Sequence, residues 1–378
     1  MAEADGAANK VDLVFQGGGV KGIALVGAYS VLEAEGYEVQ NVAGASAGAI
    51  VASLIAAGYD AAELKDILVQ TPFTDFLDPT WETRLKPGGL LLSILEEWGM
   101  YRGEFARQWL ETLLSKKGTT TFGDLRDPWE TDPRWTYRLQ VVVSDVTHHR
   151  MLLLPRDAAD IGYADPDRLP IADAVRMSMS IPLFFEPVIH KGDGGDVVLV
   201  DGGMLSNFPV WIFDSDGEPR WPTFGLKLVD PNPSGDPATA PGGSARAAPP
   251  HPGVEDAERH GLAWFLHGLV STLTDAHDKE YLERDDFVRT ITISNLGVKT
   301  TEFTLPASTD APGYRPGEPT IEDLYESGRA AATQFLATWD FEAYRAAFRS
   351  GAPQPSRREA VVARLHREPT SRSQSRTA

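Results

Sequence analysis

Three short stretches of the chain carry residue types able to do chemistry. The first is Gly17-Gly18-Gly19-Val20-Lys21-Gly22, a glycine loop that satisfies G-x-G-x-x-G and follows the apolar run Leu13–Phe15. The second is Gly44-Ala45-Ser46-Ala47-Gly48, a G-x-S-x-G match. The third is Asp201-Gly202-Gly203, at the end of the apolar run Val197–Val200. A serine on a sharp strand-to-helix turn is forced outward, at a helix N-terminus whose dipole favours developing negative charge. Glycines two residues to either side leave room for strained backbone. A serine ester hydrolase also needs backbone N–H donors aimed at the oxyanion of a tetrahedral intermediate, and loss of one costs about 10²–10³ in rate. Gly18 and Gly19 would supply such donors with no side chain in the way.

The serine needs a base as well. An aspartate at the end of a very apolar strand loses solvation, which raises its proton affinity and suits it to that task. Asp201 fits this description, but an aspartate in a D-G-G turn also has a plain turn-forming reading, and both stand at this point. Histidine is the rival base. The chain order Ser…Asp…His would be completed by His251, His260, His267 or His277, none of which sits in a motif. His148 and His149 are adjacent, and neighbours on a strand point to opposite faces, a poor arrangement for one metal. No H-E-x-x-H or comparable ligand spacing occurs, so no metal site is expected.

A cofactor reading of the glycine loop fares less well. A dinucleotide site requires an acidic residue at the end of the next strand for the ribose. Glu38 lies at the start of that strand, and Gly44-Ala45-Ser46 occupies its end. A Walker A loop needs Ser or Thr after its lysine, and Lys21 is followed by Gly22.

The elements that must position these residues are legible from apolar patterning. Strand Leu13–Phe15, helix Val20–Glu35, strand Tyr37–Ala43 and helix Gly48–Ala57 repeat a strand, a tight turn and a helix twice. That alternation predicts an α/β domain with a parallel sheet. Further strands are expected at Tyr137–Val146, Val197–Gly203, Thr223–Val229 and Phe287–Gly297, with helices at Ile171–Met179, about Val254–Asp285 and Ile321–Ala346. The apolar segment Leu90–Trp98 reads either as an interfacial lid or as packed helix core. Asp230–Gly253 holds seven prolines and reads as a flexible loop. Residues 1–10 read as a disordered leader, 11–337 as the catalytic domain, and 338–378 as the end of the last helix followed by a disordered basic tail.

Composition bounds the partners. The 378 residues are 42% hydrophobic, ample for a core, and include no cysteine, so thiolate metal sites and cysteine nucleophiles are excluded. A formal charge of −19 disfavours nucleic acid as a partner, and disfavours broad electrostatic docking on anionic membranes. The acidic start, MAEADGAANK, is not a Sec-type signal peptide. Val42–Tyr59 is uncharged over 18 residues but reads as a buried strand, turn and helix rather than a membrane span. A cytoplasmic location is expected.

Taken together, the three boxes resemble the patatin-like phospholipase family. Its glycine-rich segment G-G-G-x-[KR]-G is matched by Gly17–Gly22 with Lys21, its nucleophile box by Gly44–Gly48, and its D-G-[GA] box by Asp201–Gly203. Ser178–Pro182 is similar to the family's S-x-x-x-P segment, and GMYRGEFARQWLETLL, TFGDL, FGLKLV and LGVKTTEFTL look like bacterial members. The likeness spans about Val11 to Leu336; the Pro-rich insertion and the Arg-rich tail depart from it. The resemblance implies a three-layer α/β fold, with a mainly parallel sheet flanked by helices and the serine on a nucleophile elbow. It implies Ser46 as nucleophile and Asp201 as base in a dyad, Gly18 and Gly19 in the oxyanion hole, and no calcium or other cofactor. The implied reaction is hydrolysis of a lipid acyl ester through an acyl-enzyme, with transient contact at a membrane surface. A serine esterase with a histidine base and a non-catalytic binding protein on the same fold are the competing readings.

Overall fold

The computed structural model describes residues 10–78, 98–130, 132–192, 195–215, 217–231, 284–300, 302 and 304–349. The leader, residues 90–97 of the apolar segment, most of the Pro-rich stretch, the long helix up to residue 283 and the tail from 351 lie outside them.

The chain opens with β1 (Lys10–Phe15), α1 (Gly22–Ala34), β2 (Glu38–Gly44) and α2 (Ala47–Ala56). The apolar alternation had placed each of these within a few residues. Helix α3 (Ala61–Gln70) starts at Asp60, whose carboxylate takes the Glu63 N–H while the Glu63 carboxylate takes that of Asp60. This reciprocal box satisfies two helix donors that otherwise have no partner. Strand β3 (Gly99–Tyr101), α4 (Glu104–Lys116), β4 (Leu139–Asp145), β5 (Arg150–Leu154) and α5 (Ile171–Ser178) follow. The remainder is β6 (Leu183–Phe185), β7 (Val188–Gly192), β8 (Gly195–Asp201), α6 (Gly203–Ser206), β9 (Thr223–Val229), α7 (Arg284–Val288), β10 (Thr290–Ser294), α8 (Ile321–Leu336) and α9 (Phe341–Tyr344).

The main sheet runs β10-β9-β1-β2-β4-β8-β7, with β5 paired to β4. Its pairings from β10 through β4 are parallel, while β5, β8 and β7 join antiparallel. Strand β4 is where the sheet changes direction. It pairs β2 through Leu139–Val141 and β8 through Val143–Asp145, leaving Val142 between the two registers.

Side chains alternate across the sheet with period two. Leu13 and Phe15 enter the large core with α1, α2, α3, α5 and α8. Val14, Ala43 and Val142 face the other way, against Trp211, Ile212 and Phe213 of a 3-10 turn at Val210–Phe213. The sheet is thus the middle of three layers.

Three expectations need correction. Phe287 and Val288 belong to α7 rather than to a strand, and the strand begins at Thr290. The last helix is not continuous to Ala346. It ends at Leu336 and restarts at Asp340, whose carboxylate caps Ala343 N–H at 2.9 Å. The break lets Trp339 fold back, stacked on Phe335 at 5.3 Å and edge-on to Phe224 at 5.0 Å. Strands β5 and β7 were not foreseen; they pair on β4 and β8. Among the described residues no helix is long and apolar enough to cross a membrane, and the uncharged Val42–Tyr59 window folds as the end of β2, a turn and α2.

Candidate active site

Register brings the first two boxes together. Phe15 at the end of β1 lies opposite Gly44 at the end of β2, so the glycine loop and the serine turn leave the sheet side by side. Ser46 occupies that turn at φ 52° and ψ −129°, a conformation costly for a residue with a Cβ. The chain is tight enough to impose it. A Cβ on Gly44 would fall 2.4 Å from the Gly48 carbonyl carbon, and one on Gly48 would fall 2.3 Å from Phe15 O. Both glycines are therefore required by close approach of backbone to backbone. Ser46 is 6% exposed and directly precedes α2. Its N–H donates to Ser178 Oγ at 2.9 Å.

Asp201 reaches the same place from the antiparallel side. It lies opposite Val143 on β4, and Gly44 lies opposite Val141, so the two chain ends converge on Val142. Asp201 N–H donates to Ser180 O at 2.9 Å and Gly202 N–H to Ser178 O at 3.1 Å. Gly203 N–H donates to Asp201 Oδ1 at 2.7 Å. The other carboxylate oxygen, Oδ2, is buried and accepts no hydrogen bond of good geometry among the described residues. Burial pushes the Asp201 carboxyl up to about 6, opposed by hydrogen bonding from the Ser46 hydroxyl and from Gly203 N–H.

The glycine loop divides its N–H groups. Gly17 N–H is committed to Asn207 O at 3.1 Å. Among the described residues, the Gly18 and Gly19 N–H groups make no hydrogen bond. Gly19 has φ +59°, and a Cβ there would fall 2.0 Å from Thr300 O. The space beside Gly18 is filled by Leu228, with the Lys21 stem farther off. A Cβ on Gly17 would fall 3.0 Å from Ser46 Cβ and 2.2 Å from Asn207 Oδ1. The first glycine is thus wedged between the serine and Asn207. Gly22 begins α1 and faces Val51 and Ala47 at ordinary contact distance. Gly202 sits against Val142 O, where a Cβ would fall 2.1 Å away, and Gly203 beside Asn207. Pro182 lies in the turn from α5 to β6, four residues past Ser178.

Several contributors had no role assigned from the sequence, although Ser178 lay in the segment similar to S-x-x-x-P. Ser178, Ser180 and Asn207 hold the three boxes to one another through the bonds above. Arg176 is buried beneath them and donates to Ser180 Oγ at 2.5 Å and Glu186 O at 2.9 Å. The paired serines of SMSIP and the asparagine of SNFP were the available signals. The four histidines weighed as bases, His251, His260, His267 and His277, lie outside the described residues. His148 bonds Asp145 Oδ2 at 2.7 Å, in the turn joining β4 to β5. Among the described residues no group of three or more His, Asp or Glu is arranged to hold a metal ion.

Such a serine turn, set at the edge of a mainly parallel sheet, defines an α/β protein with its candidate chemistry at strand ends. A family model described as patatin-like phospholipase matches residues 13–214, and the chain belongs to that family. It is 43% identical over 221 residues to YqhO of Bacillus subtilis, covering 58% of this chain and 71% of that one. An NTE family protein of Mycobacterium tuberculosis is 28% identical over 221 residues, 56% of this chain and 30% of that longer protein. Among solved structures, VipD from Legionella pneumophila superposes with a TM-score of 0.49 at 19% identity, over 87% of this chain and 67% of that one.

Proposed function

We propose that the protein is a lipid acyl hydrolase in which Ser46 is the nucleophile and Asp201 its base, working through an acyl-enzyme. The observation that carries this reading is the state of Asp201. Its carboxylate is buried, with one oxygen fixed by Gly203 N–H and the other without a well-directed hydrogen bond among the described residues. The influence of the Ser46 hydroxyl on that carboxyl supports the pairing.

In the proposed reaction Asp201 takes the Ser46 proton as Oγ attacks the acyl carbonyl. The unengaged N–H groups of Gly18 and Gly19 meet the oxyanion, with the N-terminus of α2 behind the serine. The intermediate collapses, Asp201 returns its proton to the departing alcohol, and the acyl group stays on Ser46. Water then gives a proton to Asp201 as it attacks the acyl-enzyme. A second collapse releases the fatty acid, Ser46 Oγ recovers the proton, and both side chains return to their starting states. Family membership supports an acyl ester of a glycerolipid or phospholipid, met at a membrane surface, as the substrate class.

The test is hydrolysis of a short-chain chromogenic ester by folded wild type, Ser46→Ala and Asp201→Asn. Each variant is expected to lose at least about 10³-fold in kcat, the scale of removing one member of a nucleophile–base unit. Retained turnover in Ser46→Ala would overturn the assignment. Retained turnover in Asp201→Asn alone would return the base to a histidine.

A further inference from the structure

The glycine loop leaves the sheet at Gln16, and the ladder changes acceptor there. Parallel strands bond at even spacing. On the flank shared by β1 and β9, Asp12 N–H donates to Pro222 O at 3.0 Å and Gln16 N–H to Leu226 O at 3.1 Å. The next rung would bring Leu228 N–H onto the Gln16 main-chain carbonyl. The side chain takes that place instead: Leu228 N–H donates to Gln16 Oε1 at 2.6 Å. Both residues are buried. The main-chain carbonyl is released from the ladder and lies against α2, where a Cβ on Gly48 would fall 2.7 Å from it. The C=O and N–H of a trans peptide point in opposite directions. The N–H of this one, that of Gly17, accordingly reaches Asn207 O at 3.1 Å. The peptide that opens the loop therefore stands turned out of the sheet. Leu228 acts a second time through its side chain, which fills the space beside Gly18; a Cβ there would fall 2.3 Å from Cδ1. Farther along the loop, Thr300 O takes Val20 N–H at 3.4 Å and abuts Gly19. Gly18 and Gly19, whose N–H groups make no hydrogen bond among the described residues, are held between these two contacts.

We propose that Gln16 is a positioning residue for the oxyanion hole: its side-chain amide stands in for its own carbonyl on β9, which keeps the Gln16–Gly17 peptide turned outward and the Gly18 and Gly19 N–H groups in place for the reacting carbonyl. This rests on the reading of Ser46 as nucleophile and of those two N–H groups as oxyanion donors. Leu228 lies beyond residues 13–214 that match the family model, so the loop is anchored by a part of the chain outside that match. Without the side-chain acceptor, the buried Leu228 N–H is left unpaired, a costly condition. The Gln16 carbonyl is then the acceptor one rung away. Turning it back into the ladder swings Gly17 N–H off Asn207 and moves the donors that follow. Such donors act on charge that develops in the transition state and not on the resting ester. A misplacement of about 1 Å is enough to cost about 10²-fold in rate.

The experiment compares wild type with Gln16→Met, Gln16→Ala and Ser46→Ala. Gln16→Met keeps the length of the side chain and leaves only a weak acceptor. Three quantities are read for each: thermal midpoint, kcat and KM on a soluble chromogenic ester, and the inhibition constant of a short-chain trifluoromethyl ketone. The ketone carbon bonds to Ser46 Oγ as the serine proton passes to Asp201, which leaves a tetrahedral oxyanion in the hole. Gln16→Met and Gln16→Ala are expected to lose about 10–10²-fold in kcat and the same factor in ketone affinity, with KM within twofold. A Gln16→Met protein that melts earlier yet keeps wild-type kcat and ketone affinity would reduce the residue to a purely structural role and overturn the proposal. A raised KM with kcat unchanged would place Gln16 in ester binding and overturn it as well. If Gln16→Met does not fold, Gln16→Ala, which leaves room for water at Leu228 N–H, decides by the same readings. Turnover surviving in Ser46→Ala would instead remove the underlying reading. A silent Ser46→Ala beside a wild-type-like Gln16→Met would remove this inference alone.

Discussion

At the residue scale, Asp201 is caught between folding and reactivity. Burial favours the protonated carboxyl over the hydrogen bonds that oppose it, and the native value near 6 lies above the ordinary 3.8. A raised native pKa means that the folded state binds the proton more tightly than the unfolded chain. Stability from this group is therefore complete below about pH 4 and is lost as pH rises through 6. At neutral pH the ionised carboxylate is a burden of roughly 3 kcal/mol on the fold, from about two pKa steps at 1.36 kcal/mol each. The proposed base needs that ionised form. Asp201→Asn is accordingly expected to melt several degrees higher than wild type at pH 8, with the advantage shrinking towards pH 4, while turnover disappears. Wild-type kcat/KM is expected to fall on the acid side with a midpoint near 6. Paired thermal melts and a rate–pH profile measure both. An Asp201→Asn variant less stable than wild type at pH 8 would mean that its partners compensate the buried charge more fully than the geometry indicates.

At the element scale, glycine spacing and glycine necessity separate. Gly22 and Gly48 are both motif positions, but their surroundings differ. A Cβ on Gly22 would meet its nearest neighbour at 3.8 Å, whereas one on Gly48 would strike Phe15 O at 2.3 Å and Gln16 O at 2.7 Å. Carbonyls of a central strand cannot move aside. Gly22→Ala is expected to fold with stability within about 1 kcal/mol of wild type. Gly48→Ala is expected to lose about 3 kcal/mol or fail to fold, since overpacking against backbone is at the costly end of such changes. Denaturant melts of the two variants test the contrast. The same distinction explains what could be read in advance. The strand–turn–helix units around Gly17–Gly22 and Ser46 are local in sequence, and apolar periodicity located them. Ser178, Ser180 and Asn207 act through contacts as far as 190 residues apart, such as Asn207 to Gly17, and no local pattern encodes those. Strand β7 went unseen because His190-Lys191 break its apolar run, and β5 because its apolar run, Met151–Leu154, is only four residues long and stops at Pro155. The break in the last helix was hidden because Trp339 and Tyr344 continue its apolar spacing; the Asp340 cap, not hydrophobicity, ends the pattern.

At the scale of the whole molecule, the charge of −19 bears on how a lipid hydrolase would meet its substrate. An acidic body is repelled by an anionic bilayer over a distance set by salt, about 30 Å at 0.01 M and about 8 Å at 0.15 M. Apolar contact over the short range must then supply the attraction, and Trp98, half exposed just before β3, is one aromatic side chain free to supply it. The proposed activity should therefore show a charge preference that belongs to docking and not to the catalytic step. Labelled phosphatidylcholine diluted into ether lipids, with either zwitterionic or anionic headgroups, keeps the cleaved ester constant while the surface charge changes. Hydrolysis is expected to be several-fold faster on the zwitterionic vesicles at 0.01 M salt, with the two rates converging by about 0.5 M as screening removes the repulsion. Turnover of a soluble ester, which involves no surface, is expected to change little over the same range. Faster hydrolysis on the anionic vesicles at low salt would mean that a local basic face governs docking against the field of the whole protein.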